Sequence, residues 1–157
     1  MLAGVAVPLD QLSAEQLIRH NLTRRVHERL GVLEVQFLSR VADRLLPAMV
    51  DGELLILRWG NHRGESAALP CSLCTQLATV EAGGWAAANV VEVVIPAALA
   101  LDAGIWSPVA GGIRGLVVAD EQAVRRVYPI LEPASPYYLT MTHSAWKPCL
   151  VGEGGHP

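Results

Sequence analysis

The sequence predicts a single α+β domain in which N-terminal helices pack on a mostly antiparallel sheet or partial β-barrel. Three observations support this prediction. The length of 157 residues is typical of one domain. The first third of the chain shows helical periodicity, and the remainder shows short apolar runs separated by glycine and proline. With 52% hydrophobic and 17% charged residues, the chain has the composition of a folded globular protein.

The N-terminal region is predicted to contain an irregular arm, residues 1–12, followed by two helices. A capping-box sequence at Ser13 predicts the start of the first helix, and Gly31 is its predicted end. The polar face of this helix is rich in arginine, which is typical of a solvated surface and less often of a nucleic-acid contact. A second helical pattern covers residues 34–46 and stops at Pro47.

From Met49 onward the pattern predicts strands. An Asp-Gly turn at residues 51–52 leads into the first of them, and a turn at 102–104 precedes Ile105. The predicted strands cover residues 54–59, 92–95, 113–119, 126–131, 137–141 and 149–151, and a short helix covers 72–81. The predicted domain therefore spans residues 13–151, and the glycine-rich tail, 152–157, is expected to be loose.

Charge and composition restrict the classes of partner. A formal net charge of −3 argues against a basic surface over the whole protein, but a local basic groove stays open. Nearly all the cations are arginine, the better residue for bidentate phosphate contacts, and Lys147 is the single lysine. No apolar run is long enough to span a bilayer, and the N-terminus lacks the basic lead of a signal peptide. We therefore expect a cytoplasmic protein without a membrane partner.

The most polar stretch of the chain follows the strand predicted at residues 54–59. It reads Leu57-Arg58-Trp59-Gly60-Asn61-His62-Arg63-Gly64-Glu65-Ser66. Arg63 could hold a phosphate through its fork of donors, and Asn61 could hydrogen-bond a sugar or a base edge. The alternative is a turn with a buried ion pair between Arg63 and Glu65 that joins two strands, because a buried carboxylate needs a partner.

Aromatic and imidazole side chains near this stretch suggest further contacts. Trp59, with Trp106 or Trp146, could offer a face for stacking unpaired bases, although a single tryptophan is more often a core residue. His62 and His143 could act as acid or base near neutral pH, although a polar surface role is commoner for each.

Five short motifs follow one another between residues 49 and 151. They are Arg58-Trp59-Gly60, the Asn61 to Ser66 stretch, Val94-Ile95-Pro96-Ala97, Trp106, and Met141-Thr142-His143-Ser144-Ala145-Trp146-Lys147-Pro148. Their order and approximate spacing resemble the SOS-response-associated peptidase (SRAP) family. That family has Arg-Trp-Gly, Asn-Ala-Arg-Ala-Glu-Thr, Val-Pro-Ala, Gly-Phe-Tyr-Glu-Trp and His-x-Arg-Met-Pro in the same order. The resemblance implies an SRAP-like fold.

The resemblance implies a protein that binds single-stranded or abasic-site DNA in the DNA-damage (SOS) response. Family members cross-link abasic DNA through an N-terminal cysteine, and Leu2 stands at that position. Ile105 stands where the family has a glutamate, Ser144 stands where it has a histidine, and the spacer before the asparagine motif is short. We therefore expect a shortened, divergent member in which cross-linking is lost.

The residues implied for function fall into two groups. The catalytic candidates are Asn61, Glu65 and His143, and the DNA-binding candidates are Arg58, Trp59, Arg63, Trp106 and Lys147. Neither a cofactor nor a metal is expected.

Three other interpretations of the sequence stay open. The protein could be an interaction or accessory protein that uses the fold as a scaffold for a protein partner or for self-association. It could be an enzyme with relocated groups such as His143 and Cys149. Cys71 and Cys74 form a C-x-x-C pair, which favours two packed thiols over a zinc site. An odd count of three cysteines also argues against a disulfide framework.

Overall fold

The computed structural model describes residues 1–152, in which strands greatly outnumber helices. The strands are β1 (Leu2–Pro8), β2 (Val26–Arg29), β3 (Val32–Leu38), β4 (Leu45–Val50), β5 (Glu53–Trp59), β6 (Thr75–Gln76), β7 (Val91–Ile95), β8 (Leu99–Asp102), β9 (Ile105–Pro108), β10 (Ile113–Ala119), β11 (Arg125–Pro133) and β12 (Trp146–Pro148). The helices are α1 (Ala14–Arg19), α2 (Leu77–Glu81) and α3 (Pro136–Thr142), with short 3-10 turns at Leu9–Gln11, Leu22–Arg25 and His62–Gly64. The α+β class is confirmed. None of these helices has the length and apolarity required to cross a membrane.

Five strands close into a barrel. β10 pairs with β7, β7 with β4, β4 with β5, β5 with β11, and β11 returns to β10. Only the β5–β11 contact in this ring is parallel. β6 and β12 extend the far half of β11, beyond its contact with β5. The structure therefore contains the mostly antiparallel sheet that the sequence predicted, and this sheet closes into a barrel.

A second, antiparallel sheet has the order β2-β3-β1-β8-β9. Its central strand, β1, occupies the region predicted to be an irregular arm, so that prediction is wrong. Val5 and Val7 are fully buried in it, and β3 and β8 pair along its two edges. A short apolar run that ends at a proline is a pattern that buried strands also show.

The prediction of two long N-terminal helices is also wrong. The capping box is present: the Ser13 hydroxyl accepts a hydrogen bond from Gln16 N (3.1 Å), and Ser13 N donates to Gln16 Oε1 (3.0 Å). However, α1 ends at Arg19, and Asn21 turns the chain with a left-handed φ of 54°. The residues predicted to form the second helix lie mainly in β3, the loop after it and the start of β4, because strand pairing overrides their helical spacing.

Most predictions for the later chain are confirmed. β5, β7, β10 and β11 lie where strands were predicted, and left-handed Asp51 and Gly52 (φ 52° and 78°) form the β4–β5 turn. The strand predicted at 137–141 is wrong, because Ser135 caps α3 by accepting from Tyr138 N and Pro136 begins that helix. The helix predicted at 72–81 is shortened to Leu77–Glu81, and the last strand ends at Pro148, before the predicted start at 149. The loose tail predicted from residue 152 lies outside the described residues except for Gly152.

Candidate functional site

The predicted site residues lie toward two different ends of β11. Arg58 and Trp59 are opposite Arg126 and Val127, at the start of this strand. Lys147 is opposite Glu132, near its end. Val127 and Glu132 are separated by five steps along the strand, or about 17 Å at the usual rise of a strand. We call residues 60–70 the loop region, and the space between β9, α3 and β12 the cavity region.

Asn61 shapes the loop region. It is fully buried, and its side-chain amide donates to Ser66 O (2.9 Å) and Leu69 O (3.0 Å). Its Oδ1 accepts from Ser66 N at 2.8 Å. Since both amide hydrogens are used and no surface is exposed, Asn61 has no access to a substrate. The expected catalytic role is therefore corrected to a structural one.

Trp59 is a core residue. Its side chain is 2% exposed, and its indole N–H donates to Leu73 O at 2.8 Å. The expected stacking of a base on Trp59 is therefore wrong. The next residue, Gly60, has a φ of 57°, and a Cβ there would lie 2.6 Å from Ser72 O. Glycine is thus required where the loop packs back against the strand end.

Arg63 and Glu65 lie on the surface of the loop region. Both are exposed, and within residues 1–152 neither has a hydrogen-bond or ion-pair partner, so the buried ion pair considered for them does not form. Arg63 has a left-handed φ of 60° in the 3-10 turn. Arg63 is therefore accessible to an anion, and its contact with DNA stays a prediction. His143, the other catalytic candidate, is exposed at the end of α3, in a different part of the molecule.

Two acidic residues that the sequence did not mark hold the loop region in place. The Glu121 carboxylate accepts from the Ser66 hydroxyl (2.6 Å) and from Ala67 N (3.1 Å), and the first of these bonds is the main reason that its pKa is lowered. Asp120 pairs with buried Arg126 at 3.0 Å, and Arg126 donates to Gly60 O at 3.1 Å. The side chains of Asn61 and Glu121 therefore form hydrogen bonds with the backbone of this loop and hold it in place.

The cavity region contains an opening of about 380 Å³. Trp106, Tyr138 and Met141 contribute apolar and aromatic surface to its wall, and Lys147 is also part of the lining. The guanidinium of Arg29 lies over the Trp106 ring, 5.1 Å from its centroid. The Lys147 ammonium lies 3.2 Å from the Glu132 carboxylate, and each side chain is 20% exposed. The structure thus brings together Trp106 and Lys147, two of the five DNA-binding candidates.

Asp102 joins the cavity wall to the start of β1. Its buried carboxylate accepts from the Tyr138 hydroxyl (2.6 Å), the Ser144 hydroxyl (2.6 Å) and the Met1 amino group (2.8 Å). Burial alone would raise the pKa of Asp102, but these hydrogen bonds outweigh it and lower the pKa. Burial and the bond to Asp102 raise the pKa of Tyr138. Sequence patterns identified Asp102 only as a turn residue, since its partners are distant in the chain.

The three thiols occupy different environments. Cys71 is exposed, whereas Cys74 and Cys149 are buried. Burial raises the pKa of Cys74 to about 12, which removes its nucleophilic thiolate at neutral pH. Within residues 1–152 no three His, Cys, Asp or Glu side chains are grouped so that they could hold a metal ion.

The fold and the cavity define the class of protein as a small α+β protein with a closed five-stranded barrel and an aromatic cavity. Comparison with known protein families, with curated proteins and with solved structures finds no match for the chain. The functional assignment therefore depends on the chemistry of the site itself.

Proposed function

We propose that the protein is an SRAP-like DNA-binding protein that holds an unpaired nucleotide of single-stranded or abasic DNA without cross-linking to it. One observation carries the proposal. Trp106 and Lys147, which the family resemblance assigns separately to DNA binding, line the same cavity although they are far apart in the sequence. A DNA-damage context follows from the same resemblance.

The chemistry of the cavity suits an unpaired base. Its volume of about 380 Å³ falls within the usual range for small-ligand sites. Because Arg29 covers one face of the Trp106 indole, a base stacks on the opposite face or against Tyr138. Lys147 lies on the wall of the same cavity, and binding a flanking phosphate requires its ammonium group to exchange the Glu132 carboxylate for the phosphate.

The start of β1 supports a non-covalent mode of binding. The Met1 amino group lies 3.0 Å from the hydroxyl of Ser144, the position where the family resemblance places a histidine. The position of the family cysteine is therefore close to this part of the cavity wall. Leu2, which occupies it, is 3% exposed and carries no nucleophile. Ring closure with the abasic-site aldehyde, which needs a thiol beside an amine, is chemically excluded at this position.

A second candidate function is that of an interaction or accessory protein. Leu30, Val32 and Leu33 at the β2–β3 hairpin are 100%, 60% and 48% exposed. Adjacent exposed apolar side chains of this kind favour contact with a protein partner or a second copy. Size-exclusion chromatography with light scattering, with and without DNA, separates this function from DNA binding by the monomer alone.

The test is a titration of fluorescein-labelled oligothymidine at low salt. We expect weak, saturable binding that decreases as salt is added, because phosphate contacts release counterions. Trp106→Ala should weaken binding about tenfold, a loss within the range measured for stacking on aromatic residues. Lys147→Gln should weaken binding and reduce its salt dependence. Arg40→Gln, at an exposed position in the loop between β3 and β4, is the control and should bind as the unaltered protein does.

No binding at low salt, or equal losses in Trp106→Ala and Arg40→Gln, would contradict the proposal. A parallel incubation with abasic-site DNA tests the missing cross-link. We expect no slower band on a denaturing gel, because Leu2 has no thiol, and a persistent band would show that another nucleophile acts.

A further inference from the structure

A second concave surface lies near the start of β11, away from the cavity region. It has a volume of about 440 Å³, and we call it the arginine groove. Its polar lining residues are Arg19, His20, Asn21, Asp43, Arg58 and Arg125. They come from α1 and the turn after it, the loop before β4, the end of β5 and the start of β11. The groove thus collects side chains from four separate parts of the chain.

Positive charge is in excess in the arginine groove. Arg58 Nη1 contacts Asp43 Oδ1 at 3.1 Å, and Arg19 pairs with Glu15 on α1. Arg125 has no ion pair within the described part of the chain. Arg25, just behind the groove, donates from Nη2 to Asp43 O at 2.9 Å. Three arginines of the lining therefore face one lining carboxylate, that of Asp43, although the whole chain carries a net charge of −3.

The guanidinium of Arg25 is incompletely satisfied. Its Nη1 is buried and has no hydrogen-bond partner among residues 1–152. Within the described part of the chain, its hydrogen-bond partner is a backbone carbonyl, which carries no net charge. The Asp43 carboxylate favours the charged form of Arg25 and also pairs with Arg58, so one carboxylate is shared by two guanidiniums.

The arginines that line the arginine groove can accept an external anion. The side chains of the Arg58–Asp43 pair are 47% and 56% exposed, and ion pairs with this exposure stabilise a protein only slightly. Arg58 can therefore exchange Asp43 for a ligand at little cost in folding free energy. Arg125 is exposed and available without breaking any contact. Arg58 and Arg125 line the groove from adjacent strands, and a single guanidinium can bind two phosphate oxygens at once.

We propose that the arginine groove binds a phosphoryl group through Arg58 and Arg125. The carboxylate of Asp43 competes with this group for Arg58. This site uses none of the residues of the cavity region and does not depend on the function proposed for the cavity. Phosphoryl groups occur both in nucleic-acid backbones and in free phosphorylated compounds, so the test uses one probe of each kind.

The experiment measures binding of inorganic pyrophosphate by calorimetry and of a thymidine decanucleotide by fluorescence, both at low salt. Arg58→Gln/Arg125→Gln should weaken binding of at least one probe tenfold or more. Asp43→Asn should tighten binding of the same probe several-fold, because it removes the competing carboxylate. Arg40→Gln, which removes an exposed arginine outside the groove, should change neither affinity.

The pattern of losses identifies the source of the phosphoryl group. Weaker binding of the decanucleotide in the double variant indicates a nucleic-acid backbone, and weaker binding of pyrophosphate alone indicates a free phosphorylated compound. The proposal would be overturned if the double variant bound both probes as tightly as the unaltered protein does. It would also be overturned if Arg40→Gln lost as much affinity as the double variant. Trp106→Ala should leave pyrophosphate binding unchanged, so a failure of the cavity function is distinguishable from a failure of the arginine groove.

Discussion

The loop region and the cavity region differ in how they use their polar groups. The loop region has the greater variety of polar side chains in sequence, yet Asn61 and Ser66 are buried and bonded within the protein. Among the described residues that line the cavity region, Lys147 alone is charged, and aromatic side chains form part of the wall around open space. A stretch rich in polar residues therefore does not by itself indicate a binding site. The polar side chains can instead be the hydrogen-bond partners of the loop's own backbone. A site additionally requires unfilled volume.

The largest effect is expected at Asp102, which fastens the cavity wall. Asp102→Ala removes the acceptor of three hydrogen bonds and should reduce the free energy of unfolding by about 3 kcal/mol. Asp43→Ala, which breaks only an exposed ion pair, should cost less than about 1 kcal/mol. Urea denaturation measures both. Equal costs for the two variants would show that Asp102 does not hold the cavity region together.

A somewhat smaller effect is expected at Asn61 in the loop region. Asn61→Ala leaves Ser66 N and two loop carbonyls without their partner and should cost about 2 kcal/mol. Arg63→Ala, two residues along the loop, should change the stability by no more than about 0.5 kcal/mol, because its side chain is exposed and has no hydrogen bond to any of residues 1–152. Chemical denaturation of both variants tests the structural role of this loop. A loss at Arg63 as large as that at Asn61 would contradict it.

The smallest effect concerns acid pH and also separates the two regions. The folded pKa of Asp102 is lowered, so its contribution to stability is present above its unfolded pKa of about 3.9 and is lost as pH falls through the folded value. Asp102→Asn should therefore flatten the loss of stability below about pH 4. Asn61→Ala should lower stability without altering this pH dependence. Thermal melts from pH 3 to pH 7 measure both slopes, and parallel curves for Asp102→Asn and the unaltered protein would be inconsistent with the prediction.

Local patterns predicted some elements well and others poorly. The Asp-Gly turn and the apolar run after it predict the β4–β5 turn and β5 correctly, whereas the start of β4 was predicted to be helical. Residues Val32–Leu38 are ambiguous, because their apolar side chains fit both a helical and an alternating pattern. Pairing with β1 and β2, which is not visible locally, selects the strand. The strand predicted at 137–141 failed for a different reason, since the Ser135-Pro136 helix start was not used.

The candidate site was predictable only in part. The sequence marked Trp106 and Lys147 through a family resemblance, and both line the cavity. It also marked Trp59 and Asn61, which are buried, because residue type alone does not indicate exposure. Asp102 was not singled out, since its partners lie about 36 to 101 residues away along the chain.

The sequence by itself determined the α+β class, the Asp-Gly turn and the positions of four of the five barrel strands, β5, β7, β10 and β11. These depend on backbone conformation and hydrophobic pattern, which act between neighbouring residues. Only the tertiary structure decided that β1 is a central strand, that Trp59 lies in the core and that three arginines line one groove. Burial, open volume and local charge excess arise from contacts between distant segments, and no local pattern contains them.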